Sequence, residues 1–541
     1  MRQGPSAIYL LCLLTSLVGC GAGSVETQSA GTAPEDRLGV RSMVCPSLFE
    51  AKQIQSASPA FDRDGDGFAQ TEDCDDGNRM VYPGVATGCA NGETGWRECG
   101  SDGQFTACVQ SPRCEATAPG RCYYIDPSAG DDLSSGTFEE PWRSFDPVRY
   151  SESRFANAVD LAAGDVVYVM GGTLEPTEQI FIRFVEGTPE SPITFAGYPG
   201  TTPNFAPTAE VVPFFILQSS HIRMRNFEIS RGKAAGVWVE ESLGVELLHL
   251  DIHDISGASA NNVSAIYLQS SEDVHIHHNE IRDTRPLDDI NGNNLHLSHA
   301  VIAFRGGDIL LNHNRLYQSL PTEPPSTRSC VLYKHSSDPG DAVFEVAYNQ
   351  LENCEWYSVG SGTRCTGVHH NLIRNSGPVY ITDHGGPTAN IDLDVNYNTI
   401  VDGEIVLHDP SSTYEPIGQL NVVGNILVDS RENGRTLAVD VGRFLGDPVF
   451  DQIVSPDGAG RPGSGALIRF EDNCYFSGSS DLRFGLFAAD GSGRGLGAEY
   501  GFSDWQSLGL DGGSANENPA LDGDFLPENV TCRAAGHWPR R

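Results

Sequence analysis

The sequence predicts an all-β solenoid, in which short strands stack in successive turns of one coil. A phrase of alternating apolar residues that ends on asparagine recurs along the chain, with its asparagine at Asn226, Asn279, Asn314, Asn349, Asn371, Asn398 and Asn425. One further copy has Asp251 in the asparagine slot, and successive slots lie 25, 28, 35, 35, 22, 27 and 27 residues apart. Such a period, with strand alternation inside each unit, is typical of stacked strands.

Asparagine suits the corner between two strands of such a coil. It tolerates the left-handed backbone conformation, and its amide bonds to neighbouring backbone. Because each turn of a parallel coil lies about 4.8 Å above the last, equivalent asparagines come close together. We therefore expect the corner asparagines to hydrogen-bond to one another in a ladder.

The repeat resembles the right-handed parallel β-helix of the pectate-lyase-like superfamily. Three other places resemble parts of such proteins: Tyr123–Asp131 the entry strand and loop, Ala163–Gly172 and Ile193–Gly200 the first rungs, and Asn518–Phe525 the closing segment. The resemblance covers roughly residues 122–530. It implies the fold strongly and the chemistry weakly.

A helix is expected at the start of the solenoid. In Arg154–Ala162 the apolar residues recur at helical spacing. We expect this segment to cover the open N-terminal end of the coil, because an uncovered edge strand invites pairing with other chains.

The N-terminus has the features of a bacterial secretion signal. Arg2 is followed by the apolar run Ala7–Leu14 and by Cys20, a pattern too short to span a membrane in the mature protein. Cys20 resembles the acylated cysteine of a lipobox, although an ordinary signal peptide with an incidental cysteine is the alternative. The predicted organisation is a signal over 1–20, a flexible linker over 21–44, a cysteine-rich module over 45–121 and the β-helix over 122–541.

Charge and cysteine content restrict the compartment and the partners. The formal net charge is −37, which argues against nucleic acid because phosphates would be repelled. Fourteen cysteines favour an oxidising compartment. Their spacing places Cys330 near Cys354 on adjacent rungs, and Cys474 with Cys532 is a second candidate pair. The full connectivity does not follow from the sequence.

A calcium-type loop lies in the cysteine-rich module. Oxygen-bearing side chains stand at loop positions 1, 3 and 5, and Gly67 at position 6 allows a sharp turn. The expected ligands are Asp62, Asp64, Asp66, Phe68 through its carbonyl, Gln70 and Asp73. The continuation through Cys74 and Cys89 resembles the MopE-type metal-binding motif of bacterial surface proteins. We expect a structural Ca²⁺, with a solvated acidic turn as the alternative.

Ionisable groups collect at the end of the strand that precedes each repeat. If the strands align, one face carries Arg305, Lys334, His335, Asp383, His384, His408 and Asp409. Tyr333 and Trp356 are expected beside it as surfaces that stack on sugar rings. The histidines inside the repeat itself are expected to have packing or exposed roles.

This face suits the chemistry of acidic polysaccharides. A lyase neutralises a uronate carboxylate and removes the neighbouring proton, which a lysine or histidine with a tuned pKa can do. The pair of Lys334 and Arg305 resembles the chondroitinase-B-like lyases, although the arginine of that family lies on the following rung. A hydrolase would use two carboxylates instead, and Asp383 and Asp409 are the candidates. The third interpretation is that these charged residues are solvated surface at the strand ends and have no catalytic role.

We therefore expect a secreted, lipid-anchored, monomeric surface protein that binds an acidic polysaccharide, with cleavage of that polysaccharide as an open further role. The alternative is a non-catalytic protein of the cell envelope that binds glycan. Whether the chain is an enzyme, and whether it is a lyase or a hydrolase, the sequence leaves open. The expected location is the outer membrane or cell surface.

Overall fold

Most of the described chain consists of parallel strands that stack turn upon turn, as expected for the right-handed parallel β-helix predicted from the sequence. The structure is a computed structural model. It describes residues 47–48, 52, 62–90, 93–148, 159–257, 262–285, 297–319, 327–334, 342–361, 363, 365–381, 392–407, 420–429, 436–440, 468–478, 481–489, 495–507 and 511–537.

The strands form three rows along the coil. Row 1 contains β3 (Cys122–Ile125), β4 (Val166–Val169), β7 (Ile193–Gly197), β10 (Ile222–Ser230), β12 (Glu246–His253), β14 (Val274–His277), β17 (Ile309–Asn312), β20 (Val343–Ala347), β23 (Cys365–His369), β26 (Asp392–Asn396), β29 (Leu420–Val423) and β32 (Ile468–Glu471). Row 2 contains β5 (Thr173–Leu174), β8 (Asn204–Phe205), β15 (Glu280–Arg282), β18 (Arg315–Tyr317), β21 (Gln350–Glu352), β24 (Leu372–Arg374), β27 (Thr399–Val401), β30 (Ile426–Val428), β33 (Cys474–Phe476) and β36 (Ala515–Asn516). The long strands β10 and β12 run through both rows and join them into one sheet.

Row 3 is a separate sheet of twelve strands. It contains β6 (Ile180–Arg183), β9 (Phe214–Leu217), β11 (Ala235–Glu240), β13 (Asn262–Gln269), β16 (Leu297–Phe304), β19 (Thr327–Lys334), β22 (Val359–Ser361), β25 (Val379–Ile381), β28 (Ile405–Leu407), β31 (Leu437–Asp440), β34 (Phe484–Ala489) and β35 (Gly495–Tyr500). Its strands pair in parallel, except that β34 and β35 are antiparallel. Helix α1 (Phe502–Ser507) follows β35.

One hydrophobic core runs along the inside of the coil. Successive side chains of a strand point to opposite faces, so each strand contributes alternate residues to this core. In β11, Val237 and Val239 are fully buried in it, and Trp238 between them lies on the outer face.

The predicted asparagine ladder is present at the corner between rows 1 and 2. Each buried asparagine donates from Nδ2 to Oδ1 of its equivalent on the next rung at 2.9–3.0 Å. The same Oδ1 also accepts the backbone N–H of the previous asparagine, as Asn371 Oδ1 does from Asn349 at 2.9 Å. The ladder therefore satisfies buried polar groups that would otherwise destabilise the fold.

The left-handed residue at this corner is the one before the asparagine. His278, His313, Tyr348, His370 and Tyr397 have φ between 52° and 57°. The left-handed role expected for asparagine therefore belongs to its neighbour, and the asparagine contributes its amide.

Two positions of the repeat were assigned wrongly from the sequence. Asn279 hydrogen-bonds to the backbone N–H of Leu250, so Leu250 fills the slot expected for Asp251. Asn226 likewise lies one residue before its slot, which Phe227 fills. Here the long strands β10 and β12 continue through the corner, and an apolar residue packs where later rungs have an amide. Asn473, which is not among the asparagines of the predicted repeat, continues the ladder.

The cysteine-rich module is held together by disulfides and a small hairpin. Strands β1 (Ala86–Gly88) and β2 (Trp96–Glu98) pair antiparallel. Disulfides join Cys74 to Cys99, Cys89 to Cys108 and Cys114 to Cys122. In the coil, Cys330–Cys354 and Cys474–Cys532 are also bonded, which confirms both pairs predicted from spacing.

Several predictions for the N-terminal part lie outside the described residues. These are the signal over 1–20 with Cys20, the linker over 21–44 and most of the helix expected over Arg154–Ala162. The last four residues of that segment, 159–162, are described and are not helical. Within the part of the chain that the structure describes, no helix has the length and apolarity needed to cross a bilayer.

We expect Asn371→Ala to lower the free energy of unfolding by about 2–4 kcal/mol, because it leaves buried donors of Asn349 without acceptors. Asn421→Ala is the control, since Asn421 bonds to Asp394 on the outer face of row 1, and it should cost about 1 kcal/mol or less. Urea unfolding followed by tryptophan fluorescence measures both. Equal losses for the two variants would contradict a supporting role of the ladder.

Candidate functional site

A column of aromatic rings lies on the outer face of row 3. Phe181, Phe215, Trp238 and Tyr267 are in register on successive strands, and each is half-buried. Their ring centroids are 5.3, 5.5 and 4.1 Å apart from one rung to the next. We call this column, with its continuation described next, the aromatic face.

The aromatic face continues along the later rungs as a mixed apolar cluster. Its centre is formed by Ile302 and Leu332, which occupy the same column as Tyr267, together with Tyr357. Half-buried rings pack around this centre: Phe304, Trp356 and Tyr380. Trp356 stacks on Tyr357 at 4.3 Å, and Tyr357 stacks on Tyr380 at 4.7 Å. The partly exposed rings therefore lie on both sides of a buried centre, in one line parallel to the coil axis.

Polar groups border the aromatic face at the C-terminal ends of the strands. The register places Glu240, Gln269, Phe304 and Lys334 in one column. Glu240 accepts a hydrogen bond from Trp238 Nε1 at 3.1 Å, and burial raises the pKa of its carboxyl. Three rungs separate Glu240 from Lys334, which corresponds to roughly 14 Å.

Lys334 ends strand β19 in a partly buried position. Its Nζ lies 5.6 Å from the centroid of the Phe304 ring and 3.4 Å from Asn262 Oδ1. Burial lowers the pKa of this ammonium below its ordinary value. A lysine in this state loses its proton more readily than one in water, as a general base requires.

Two of the seven residues predicted for the catalytic face lie in the described part of the chain. Arg305 is exposed, directly follows Phe304, and donates its backbone N–H to the carbonyl of Lys334 at 3.3 Å. The structure therefore brings Arg305 and Lys334 to neighbouring strand ends. The other five predicted residues lie outside the described residues: His335, Asp383, His384, His408 and Asp409.

The stacking role predicted for Tyr333 is wrong. Tyr333 is fully buried, and its hydroxyl donates to the carbonyl of Gly306. Strand alternation turns it inward because it aligns with Ala303 of the core. The aromatic column was missed because Trp238 and Tyr267 each stand singly between aliphatic residues. Aligning the strands would have shown them in one column.

The calcium-type loop gathers its first three acids. Ligand-type oxygens of Asp62, Asp64 and Asp66 lie within 4.8 Å of one another. Asp62 accepts backbone N–H groups of Gly65 at 2.7 Å and Gly67 at 2.8 Å, which fixes the turn. Each of the others has one oxygen that accepts a loop N–H, and Oδ2 of Asp64 and of Asp66 is buried with no hydrogen-bond partner in the described structure.

The two remaining side chains predicted as ligands, Asp73 and Gln70, differ in their exposure to solvent. Asp73 is buried and its Oδ2 also lacks a partner, whereas Gln70 is exposed. Burial, followed by the nearby carboxylates, raises the pKa of Asp64 to about 7 and that of Asp66 to about 9. Unpartnered carboxylate oxygens at this density are suited to a hard dication, which would replace the missing hydrogen bonds.

The loop is packed against the corner of the coil. Phe68 stacks on Tyr82 at 5.1 Å, and Tyr82 contacts the rings of His249 at 4.9 Å and His278 at 4.7 Å. His278 Nε2 lies 2.7 Å from the carbonyl oxygen of Asp66. Arg79 Nη2 donates to the carbonyl of His313 at 2.6 Å. The loop is therefore positioned by the same corner that carries the asparagine ladder.

Comparison with known proteins gives distant structural similarity alone. No protein-family model matches the chain, and no curated protein matches it. The solved structures it is similar to include pectate lyase Pel9A, 12% identical over 60% of this chain and 81% of that chain with a TM-score of 0.43. A GH136 lacto-N-biosidase from Eubacterium ramulus is 13% identical over 73% and 67%, with a TM-score of 0.32.

A mannuronic acid specific polysaccharide family 6 lyase from human gut microbiota is 12% identical over 66% of this chain and 87% of that chain, with a TM-score of 0.36. Identities and TM-scores this low leave the question of function to the side chains of this chain.

We expect Ca²⁺ to raise the melting temperature more at pH 8 than at pH 5. Because the pKa of Asp64 is raised to about 7 and that of Asp66 to about 9, their protons stabilise the metal-free fold at low pH. This stability is lost as pH rises from the ordinary aspartate value of 3.8 to about 7 to 9. Protons and Ca²⁺ compete for the same oxygens, so the ion binds best where the protons have left.

Thermal melts of the full chain with Ca²⁺ and with a chelator measure this difference. Asp66→Asn should remove most of the calcium effect. Asp75→Asn changes an exposed acid just beyond the loop and should leave it intact. A calcium effect that is the same in both variants would show that the ion binds elsewhere.

Proposed function

We propose that this protein binds an extended polysaccharide along the aromatic face of row 3. The observation that carries the proposal is the column of half-buried rings in register from Phe181 to Tyr267. Sugar rings have one apolar face, and aromatic rings with an accessible side bury it. A column that repeats on four successive rungs offers several such contacts to one extended chain.

The border of the face favours an acidic sugar. Lys334 and Arg305 supply positive charge beside the apolar cluster, although the chain as a whole has a formal net charge of −37. An ammonium and a guanidinium at neighbouring strand ends are suited to a uronate carboxylate. A uronate-containing polysaccharide is therefore the substrate class that we propose.

Elimination is the chemistry that Lys334 favours if the bound chain is cleaved. Burial lowers its pKa, so the ammonium loses its proton more readily than that of an ordinary lysine, and the amine form can then take the proton beside the uronate carboxylate while Arg305 pairs with that carboxylate. The bond to the leaving sugar oxygen breaks as the new carbon–carbon double bond forms, and that oxygen takes up a proton from water. The two carboxylates that hydrolysis would use, Asp383 and Asp409, lie outside the described residues.

We also propose an extracytoplasmic, envelope-bound location and a structural Ca²⁺ in the loop at Asp62, Asp64 and Asp66. Five disulfides among the described residues support an oxidising compartment. Acylation of Cys20 is the proposed means of attachment, and palmitate labelling of the wild-type and Cys20→Ala chains would test it. The unpartnered oxygens of the loop support the ion.

We expect Trp238→Ala to weaken binding to uronate polysaccharides about tenfold, or ~1.4 kcal/mol, because it removes the central ring of the column. Isothermal titration with alginate, pectate and chondroitin fragments measures the affinity. Tyr317→Ala is the control, because Tyr317 is a partly exposed aromatic residue in row 2. Binding that depends on Tyr317 and not on Trp238 would contradict the proposed face.

If the wild-type chain releases unsaturated sugars, Lys334→Met should stop their formation and leave Trp238-dependent binding in place. The wild-type rate should rise with pH as the Lys334 ammonium loses its proton, at a lower pH than for an ordinary lysine. Ultraviolet absorbance of the unsaturated product follows the reaction. Binding without product from every polymer would identify a glycan-binding protein that is not an enzyme.

A further inference from the structure

Three metal-ligand side chains lie close together on the outer face of row 1, on a different sheet from the aromatic face, and His277 is linked to the calcium-type loop through His278, which contacts Asp66. Glu246 on β12 lies directly opposite His275 on β14, and His277 is two residues further along the same strand. Residues two apart on a strand share a face. One ligand atom from each of the three lies within 4.8 Å of the others.

Each of these side chains also makes a second polar contact, and the rings of His275 and His277 stack with their centroids 4.0 Å apart. Arg223 Nε binds Glu246 Oε2, which leaves Oε1 at 3.0 Å from His277 Nε2. His275 Nε2 lies 2.6 Å from Asn312 Oδ1, and His277 Nδ1 lies 2.7 Å from His278 Nδ1. Metal ligands in proteins are oriented by outer contacts of this kind.

The hydrogen positions on His277 and His278 are constrained by the contact of His278 with the Asp66 carbonyl. The carbonyl of Asp66 can only accept, so His278 Nε2 carries the hydrogen in their 2.7 Å contact. The Nδ1 atoms of His277 and His278 are 2.7 Å apart, so one of them donates a hydrogen to the other. His277 Nε2 lies 3.0 Å from Glu246 Oε1, where either a hydrogen bond or a shared metal ion can join the two side chains.

The tautomer of His275 is fixed in a similar way. Asn312 Nδ2 lies 2.7 Å from His313 Nδ1 and donates to it, so Asn312 Oδ1 is the acceptor for His275 Nε2–H. Nδ1 of His275 then presents a lone pair that has no hydrogen-bond partner in the described structure. His275 Nδ1 is thus available to a metal ion, whereas His277 Nε2 and Glu246 Oε1 would exchange their mutual 3.0 Å contact for bonds to that ion.

We propose that Glu246, His275 and His277 form a Zn²⁺ site. Two imidazoles and one carboxylate are ligands that zinc accepts, and three protein ligands leave a fourth position open. A surface pocket of about 230 Å³ lined by Arg223, Glu246 and His275 adjoins the group and gives that position room for water or another small ligand. The packing role expected for these histidines is correct for His278 and incomplete for His275 and His277.

The chain contains its own control for this assignment. Glu345, His369 and His370 repeat the same arrangement three rungs later, with Glu345 Oε1 at 2.6 Å from His369 Nε2 and the two histidine Nδ1 atoms 3.0 Å apart. The position equivalent to His275 is occupied there by Gly367. This rung has the carboxylate–histidine pair with a glycine in place of His275, so a comparison of the two rungs separates zinc binding from ordinary pairing.

The test is titration of the full chain with Zn²⁺ and with Co²⁺ as a spectroscopic probe, in excess Ca²⁺ so that the acidic loop is occupied. We expect one equivalent with micromolar or tighter affinity, and Co²⁺ absorption bands typical of a low-coordinate site with nitrogen ligands. His275→Asn and Glu246→Gln should each weaken Zn²⁺ binding by more than about tenfold.

His369→Gln is the matched control and should leave the Zn²⁺ affinity unchanged. His275→Asn removes a ligand without touching the contact between His278 and Asp66, and circular dichroism of each variant without metal reports whether it is folded. No Zn²⁺ bound at micromolar concentrations would overturn the proposal. So would a loss of affinity in His369→Gln equal to that in His275→Asn.

Discussion

The asparagine ladder is the interaction on which the rest of this structure depends. A parallel coil brings backbone groups of every rung into a buried corner, and buried polar groups without partners are costly. The amides from Asn279 to Asn473 satisfy those groups rung by rung while fixing the vertical register. Once the register is fixed, residues far apart in sequence become neighbours, and the aromatic face and the proposed zinc site are built from such neighbours.

The repeat was readable from sequence because its chemistry is local. Alternating apolar residues and a terminal amide within one rung are enough to predict a strand and a corner. The first two rungs were misaligned by one residue because β10 and β12 continue through the corner, so that Phe227 and Leu250 pack where an amide was expected. At these two rungs an apolar core residue stands at the position where the alignment expected an asparagine or an aspartate.

Some of the proposed sites could be predicted from the sequence more completely than others. The calcium-type loop was predicted ligand by ligand because its acids lie within one short segment, but its contact with His278 involves a residue 212 positions away. The aromatic face and the group of Glu246, His275 and His277 depend on which side chains of different rungs share a column. Tyr333 shows the same limit, since only its register with Ala303 reveals that it points inward.

The corner between rows 1 and 2 has a constant length along the ladder. Two residues separate β14 from β15, and two separate β32 from β33, although the chain between Asn425 and Asn473 is much longer than a single short rung. Additional residues therefore accumulate in the connections that enter and leave row 3. Those connections can therefore change in length and sequence between related chains while the asparagine spine and the register of the strands stay the same.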